Sequence, residues 1–177
     1  LTPAYLEDGE PNPNTIYFNG LLAERYNKSN VNTSRTISSF MANLHILPDM
    51  LTFTSMVGID NFNQREEERQ SPKTDDGQPA GNGTYRSLAY TVMMADNYLS
   101  FDKTLSEQHV INAVIGMSYQ EDRYNQGGIQ AKTFPNDDFE DLDGASENSF
   151  FSSENRKTTY LSYFFRANLK LADRYLL

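Results

Sequence analysis

Along several segments of this chain the residues alternate in character with a period of two, which constrains the fold more than any composition figure. Successive side chains on a β-strand point to opposite faces, so each face can be read off every second position. Phe40, Ala42, Leu44 and Ile46 share one face, and Ser39, Met41, Asn43 and His45 share the other. Leu51, Phe53, Ser55, Val57 and Ile59 stand together against Thr52, Thr54, Met56, Gly58 and Asp60. The same reading gives Ile111, Ala113, Ile115, Met117 and Tyr119, then Leu161, Tyr163, Phe165, Ala167, Leu169 and Leu171. The charged residues well inside the segments, Asp60, Asp96, Arg166 and Lys170, fall on the opposite face with His45.

The alternation predicts strands over about 35–47, 51–63, 86–101, 109–121, 158–171 and 174–177. Their connections alternate as well. Pro48-Asp49-Met50, Asp102 to Gln108 and Ala172-Asp173 are short, whereas 64–85 and 122–157 are long and acidic. Short turns on one side and extended loops on the other are the pattern of an outer-membrane barrel. The segments also exceed the usual globular strand of about 5 to 6 residues. Tyr98, Phe101, Tyr119, Tyr124, Tyr160, Tyr163 and Tyr175 gather near segment ends, where amphipathic rings favour a membrane–water boundary. The expected fold is all-β, with antiparallel strands forming part of a large transmembrane β-barrel that has short periplasmic turns and long extracellular loops. Residues 1–34 are expected to be an extracellular loop region, followed by a barrel section over 35–177. A soluble β-sandwich with one buried face has the same alternation. It stays open as a surface-displayed glycan-binding module, with a secreted hydrolase accessory domain as a third class.

Composition sets limits. The mean hydropathy of -0.64 reads as soluble, yet a barrel hides its apolar positions in alternation and dilutes them with polar loops. The net charge of -9 speaks against nucleic-acid binding, which needs a basic face. With no cysteine there is neither a disulfide framework nor a thiolate metal site. The start at Leu1, without a basic-then-apolar leader, and the end at Leu177 inside an apolar strand suggest an internal piece of a longer protein.

Particular residues carry a resemblance. Asn97 to Leu105 (NYLSFDKTL) with His109 to Gln120 (HVINAVIGMSYQ), Asn19 to Ala23 (NGLLA), Leu51 to Asp60 (LTFTSMVGID), Tyr160 to Leu169 (YLSYFFRANL) and Asp173 to Leu177 (DRYLL) resemble the SusC/RagA-like TonB-linked outer-membrane transporters of Bacteroidetes, in a consistent order over about residues 19–177. Nothing in the sequence looks like that family's plug, its TonB-contacting segment or its closing strand. The resemblance implies a mid-barrel section of a large plugged barrel in a Gram-negative outer membrane. It also implies import of an oligosaccharide or peptide, a SusD-like surface lipoprotein as partner, contact with outer-membrane lipid, and TonB acting through a plug absent from this chain.

No catalytic constellation appears, and neither an enzyme nor a cofactor is expected. His45 and His109 lack zinc-ligand spacing. Asp137 to Gly144 fails the EF-hand register, because Phe150 stands where a bidentate Glu is needed; it reads instead as a short capped helix start from Pro135 to Leu142, with a looser calcium site left open. For ligand or partner contact the candidates are the loop aromatics Tyr85, Tyr124, Phe134, Phe139, Phe150 and Phe151. The lumen-facing polar candidates are Asn43, His45, Asp60, Asp96, Arg166 and Asn168, which line a conduit or form a ladder within the wall.

Overall fold

The computed structural model describes residues 2–14, 19–106, 108–136, 141–171 and 175–176. Five long strands and one short one form a single sheet whose spatial order follows the sequence: β1 (Lys28–Leu47), β2 (Leu51–Gln70), β3 (Asn82–Ser106), β4 (His109–Lys132), β5 (Glu147–Leu171) and β6 (Tyr175–Leu176). β6 pairs antiparallel with β5, Lys170 opposite Leu176 and Leu171 opposite Tyr175. Among the described residues one α-helix, α1 (Gly20–Tyr26), precedes the sheet. By compactness the chain divides into one unit of Leu1–Ser34, Asn63–Ala89 and Asn125–Asn155 and another of Arg35–Phe62, Tyr90–Tyr124 and Arg156–Leu177.

The turn between β1 and β2 follows from its residues. Asp49 adopts φ 56°, a left-handed conformation that a short polar side chain tolerates better than a branched one. The Met50 N–H then closes onto the Leu47 carbonyl at 3.2 Å.

The strands run well past their expected ends. β2 continues to Gln70, β3 starts at Asn82, β4 reaches Lys132 and β5 starts at Glu147, so only 71–81 and 133–146 remain of the loops expected over 64–85 and 122–157. The link expected over Asp102 to Gln108 is likewise strand as far as Ser106. In these extensions neither face is apolar, so the alternation vanishes while backbone pairing persists. Polar pairs replace apolar ones, as between Arg86 and Glu66 (3.8 Å) and between Asn82 and Gln70 (3.4 Å). The helix start expected over Pro135 to Leu142 falls largely on residues 137–140, which with Phe139 lie outside the described residues; a 3-10 turn follows over Leu142–Gly144.

Residues 1–34 likewise hold more than loop. Asn19 caps α1 by accepting from the Leu21 N–H at 3.2 Å, and its amide donates to the carbonyls of Ala4 and Asn12. Asn27, just beyond α1, accepts from the Ser71 N–H (2.9 Å) and the Thr74 hydroxyl (3.1 Å), which ties the start of β1 to the segment after β2.

Very little apolar surface is buried. Among the described residues the buried hydrophobics are Leu22, Ala131, Phe134 and Ala145, while Phe40 (67%), Leu44 (62%), Ile115 (58%) and Phe165 (70%) stand exposed on the strand faces. A sandwich would hide those side chains beneath a second sheet, and the described strands all belong to one sheet.

Candidate functional site

Each face of the sheet has its own chemistry. On the apolar face the alternation holds over Leu51–Ile59, Ile111–Tyr119 and Leu161–Leu171, roughly the 9 to 11 residues with which a tilted strand crosses a bilayer. Beyond each stretch the same face turns polar. Asn61 donates to the Thr91 hydroxyl at 3.1 Å. Glu121, only 7% exposed, accepts from the Tyr119 hydroxyl (2.7 Å) and from Arg123 Nε (2.6 Å), and pairs with Lys157 Nζ at 3.0 Å. These donors, the Tyr119 hydroxyl first and then Lys157 and Arg123, hold the Glu121 carboxyl down at about 2. A depressed carboxylate contributes stability above its unfolded value, here 4.5, that is lost as pH falls through about 2. The full-length protein in detergent is therefore expected to keep this contribution down to about pH 4.5 and to lose it progressively below. Glu121→Gln should flatten that acid limb in thermal unfolding scans; an unchanged pH profile would contradict the assignment.

The opposite face carries a polar ladder. Arg35 grips Asp60 with both nitrogens, Nε to Oδ1 at 3.0 Å and Nη2 to Oδ2 at 2.6 Å. The Thr54 hydroxyl donates to Asn43 Oδ1 at 2.8 Å, and His45 Nδ1 meets the Thr52 hydroxyl at 3.1 Å. On β5, Arg166 Nε donates to Asn168 Oδ1 at 3.4 Å. Asp96 stands half-buried on β3, in register with Tyr90 and Tyr98. The polar candidates thus share one face, but they are spread along it, Asn43, His45 and Asp60 in contacts between β1 and β2 and Arg166 with Asn168 within β5, and do not converge on a point.

Aromatic groups on this face do converge. Tyr90 meets Tyr124 edge-on, ring centres 6.5 Å apart, and the Arg156 guanidinium lies 5.2 Å over the Tyr124 ring. Gln120 donates to Asp122 at 2.8 Å. Burial, and after it the Asp122 carboxylate that accepts from its hydroxyl, pushes the Tyr90 phenol up. Rings, a guanidinium, an amide and a carboxylate in one patch provide stacking together with donors and acceptors. Farther along, Tyr98 and Phe164 approach to 6.4 Å over Gly116.

The loop aromatics fare differently. Tyr85 and Tyr124 are strand residues, on β3 and β4. Phe134 is buried (5%) with Ala131 and Ala145, and the Arg69 guanidinium stacks on it at 3.6 Å, so it is a packing residue and not a contact surface. Phe150 and Phe151 are on β5, not in a loop, and their side chains lie outside the described residues. Tyr90, Asp122 and Arg156 were missed because the last two fell in the expected loop 122–157. The continuing Gln120, Asp122, Tyr124 alternation was the available signal. Among the described residues no cluster of three metal-ligating side chains occurs, and no helix is long and apolar enough to cross a membrane.

No known family profile matches the chain. It is 25% identical over 185 residues to a TonB-dependent receptor of Formosa agariphila, covering 95% of this chain and 18% of that receptor. The chain resembles the TonB-dependent transporters. Their fold is also present here: the RagAB peptide transporter superposes with a TM-score of 0.76 at 19% identity, over 87% of this chain and 17% of that one. The RagAB peptide importer in its closed-closed state gives 0.76 at 18% identity, over 93% and 19%. The strands described above therefore share the fold of part of those proteins, and the chain spans about a fifth of the length of the proteins it matches.

Proposed function

We propose that this chain supplies part of the barrel wall of a TonB-dependent nutrient importer in the outer membrane of a Gram-negative bacterium. The observation that carries the reading is the exposed apolar face, of bilayer-crossing length and edged by the Asn61–Thr91 and Glu121–Lys157 contacts, on a sheet with no second layer among the described residues. In lipid that face is solvated, and the backbone groups of the strands are satisfied by their neighbours in the sheet. The polar face then lines the conduit, where the Tyr90, Tyr124 and Arg156 patch offers contact to an oligosaccharide or peptide cargo. The peptide cargo of the RagAB neighbours favours the second. A SusD-like lipoprotein at the outer mouth and TonB below complete the importer. The chain itself carries out no reaction.

Single-cysteine variants of the full-length protein test this. Cysteines at Leu44, Val57, Ile115 and Phe165 are expected to react with a membrane-dissolved probe and to resist a polar one, and those at Asn43, Asp60 and Asn168 to do the reverse. Equal labelling of both sets from water would return the chain to the sandwich reading.

A further inference from the structure

We propose that the polar rim of the apolar face holds a binding site for the phosphate of an outer-leaflet lipid, formed by Arg123 and Lys157 on a shared Glu121 carboxylate. The site lies wholly within the unit of Arg35–Phe62, Tyr90–Tyr124 and Arg156–Leu177. It rests on the lipid-facing reading of that face and goes beyond it: contact with acyl chains needs only the apolar side chains, whereas this site recognises a charged headgroup. Arg123 follows the apolar stretch of β4 that ends at Tyr119, and Lys157 precedes the stretch of β5 that starts at Leu161. The connection between these two strands is a long one, which the barrel reading places outside the cell.

The carboxylate is committed inward and the cations outward. The Glu121 side chain is only 9% exposed, whereas those of Arg123 and Lys157 are 52% and 58% exposed. Glu121 accepts from the Tyr119 hydroxyl at 2.7 Å and from Arg123 Nε at 2.6 Å, and holds Lys157 Nζ at 3.0 Å. Among the described residues this leaves both terminal nitrogens of Arg123 and the remaining N–H groups of Lys157 for another acceptor. Exposed ion pairs add little to folding, and a second cation on a carboxylate that already has one adds less. Glu121 is therefore a positioning residue that holds two cations side by side.

The local charge selects an anion. Two cations on one carboxylate leave a net positive charge, in a chain whose net charge is -9. The other described carboxylates of this unit are elsewhere. Asp60 is gripped by Arg35 on the opposite face, Asp96 stands on that face as well, and Asp122 accepts there from the Tyr90 hydroxyl. Asp49 and Asp102 lie at the far end of the strands, where the Asp102 N–H donates to the Met50 carbonyl. A phosphate matches the arrangement, because a guanidinium offers paired N–H groups to its oxygens and an ammonium adds a point charge beside them. One net charge at an exposed site gives little hold on a free phosphate in salt water. A lipid supplies the rest: with its phosphate at the level of Tyr119, where an amphipathic ring favours the membrane–water boundary, its chains run along the exposed Leu161, Ile115 and Phe165.

Native mass spectrometry of the detergent-solubilised full-length protein, titrated with lipid A and with lipid A stripped of its phosphates, tests the site. The phosphorylated form is expected to bind more tightly. Arg123→Gln and Lys157→Gln should each weaken its binding about tenfold, the loss of one charge-assisted contact, and the double variant should bind the two lipids alike. Binding of the stripped lipid should be the same in all of them. Lys103→Gln, which removes an exposed charge elsewhere on β3, should bind both lipids as the parent does. Folding of each variant is checked by heat-modifiable gel mobility, and Lys157→Gln keeps the test decisive if Arg123→Gln misfolds. Equal binding of the two lipids by the parent, a preference that survives the double substitution, or displacement of lipid A by millimolar inorganic phosphate would overturn the site. If the cysteine-labelling pattern holds and the phosphate preference fails, only this site falls; if the apolar-face cysteines label from water, the lipid-facing reading falls and takes the site with it.

Discussion

Gly116→Leu in the full-length protein is expected to abolish accumulation of folded barrel, and Gly116→Ala to reduce it severely. A Cβ at this position would lie 2.5 Å from Phe164 Cζ, 2.6 Å from Tyr98 Cβ and 2.7 Å from the Asn97 carbonyl oxygen. Overpacking a well-filled site costs roughly 1 to 3 kcal/mol when side chains can rotate aside. Here two of the three obstacles, Tyr98 Cβ and the Asn97 backbone, are fixed by the β3–β4 pairing, so rotation of Phe164 relieves only one. Gly58 is the internal control, because a Cβ there meets Met94 Cε at 3.6 Å and the Ser38 carbonyl at 3.7 Å, both ordinary contacts. Gly58→Ala should therefore assemble normally. Heat-modifiable mobility of the two variants from outer-membrane fractions decides the matter, and equal recovery of both would contradict the packing described.

The Gly116 site also marks where sequence reasoning stops. Tyr98, Gly116 and Phe164 come from three strands, and nothing in a single strand's alternation says which residues of its neighbours lie alongside; that needs the register. The faces, in contrast, were legible, because a period of two needs no knowledge of the partner strand. Asn43, His45, Asp60 and Arg166 share the expected polar face, and Leu44, Val57, Ile115 and Phe165 the apolar one. Strand ends were illegible for a physical reason. Past Ile59, Tyr119 and Leu161 the strands lose their apolar side, and Glu66-Glu67-Glu68 or Asp122 to Gln126 reads as solvated loop although its backbone stays in the ladder. Phe134 misled in the opposite direction. An aromatic residue among Asn and Asp looks like a contact surface, and only the fold brings Arg69, Ala131 and Ala145 around it.

A depth series on β5 separates a lipid-facing surface from one awaiting a protein partner. Leu161 and Phe165 have the same parity and are both well exposed (56% and 70%), but Leu161 lies at the end of the apolar stretch, next to Thr159 and Lys157, and Phe165 near its middle. In a bilayer an outward Arg costs about 2 to 4 kcal/mol at the midplane and about 0 to 1 near the interface. Phe165→Arg should accordingly lose most of its folded population in lipid vesicles, and Leu161→Arg should lose little. Ser162→Arg, at an exposed position on the polar face, should fold like the parent. A protein interface has no reason to grade the penalty along the strand, and a sandwich core would reject both apolar-face arginines alike. Equal penalties at 161 and 165, measured by urea unfolding in vesicles of defined thickness, would therefore rule out lipid as the medium on this face.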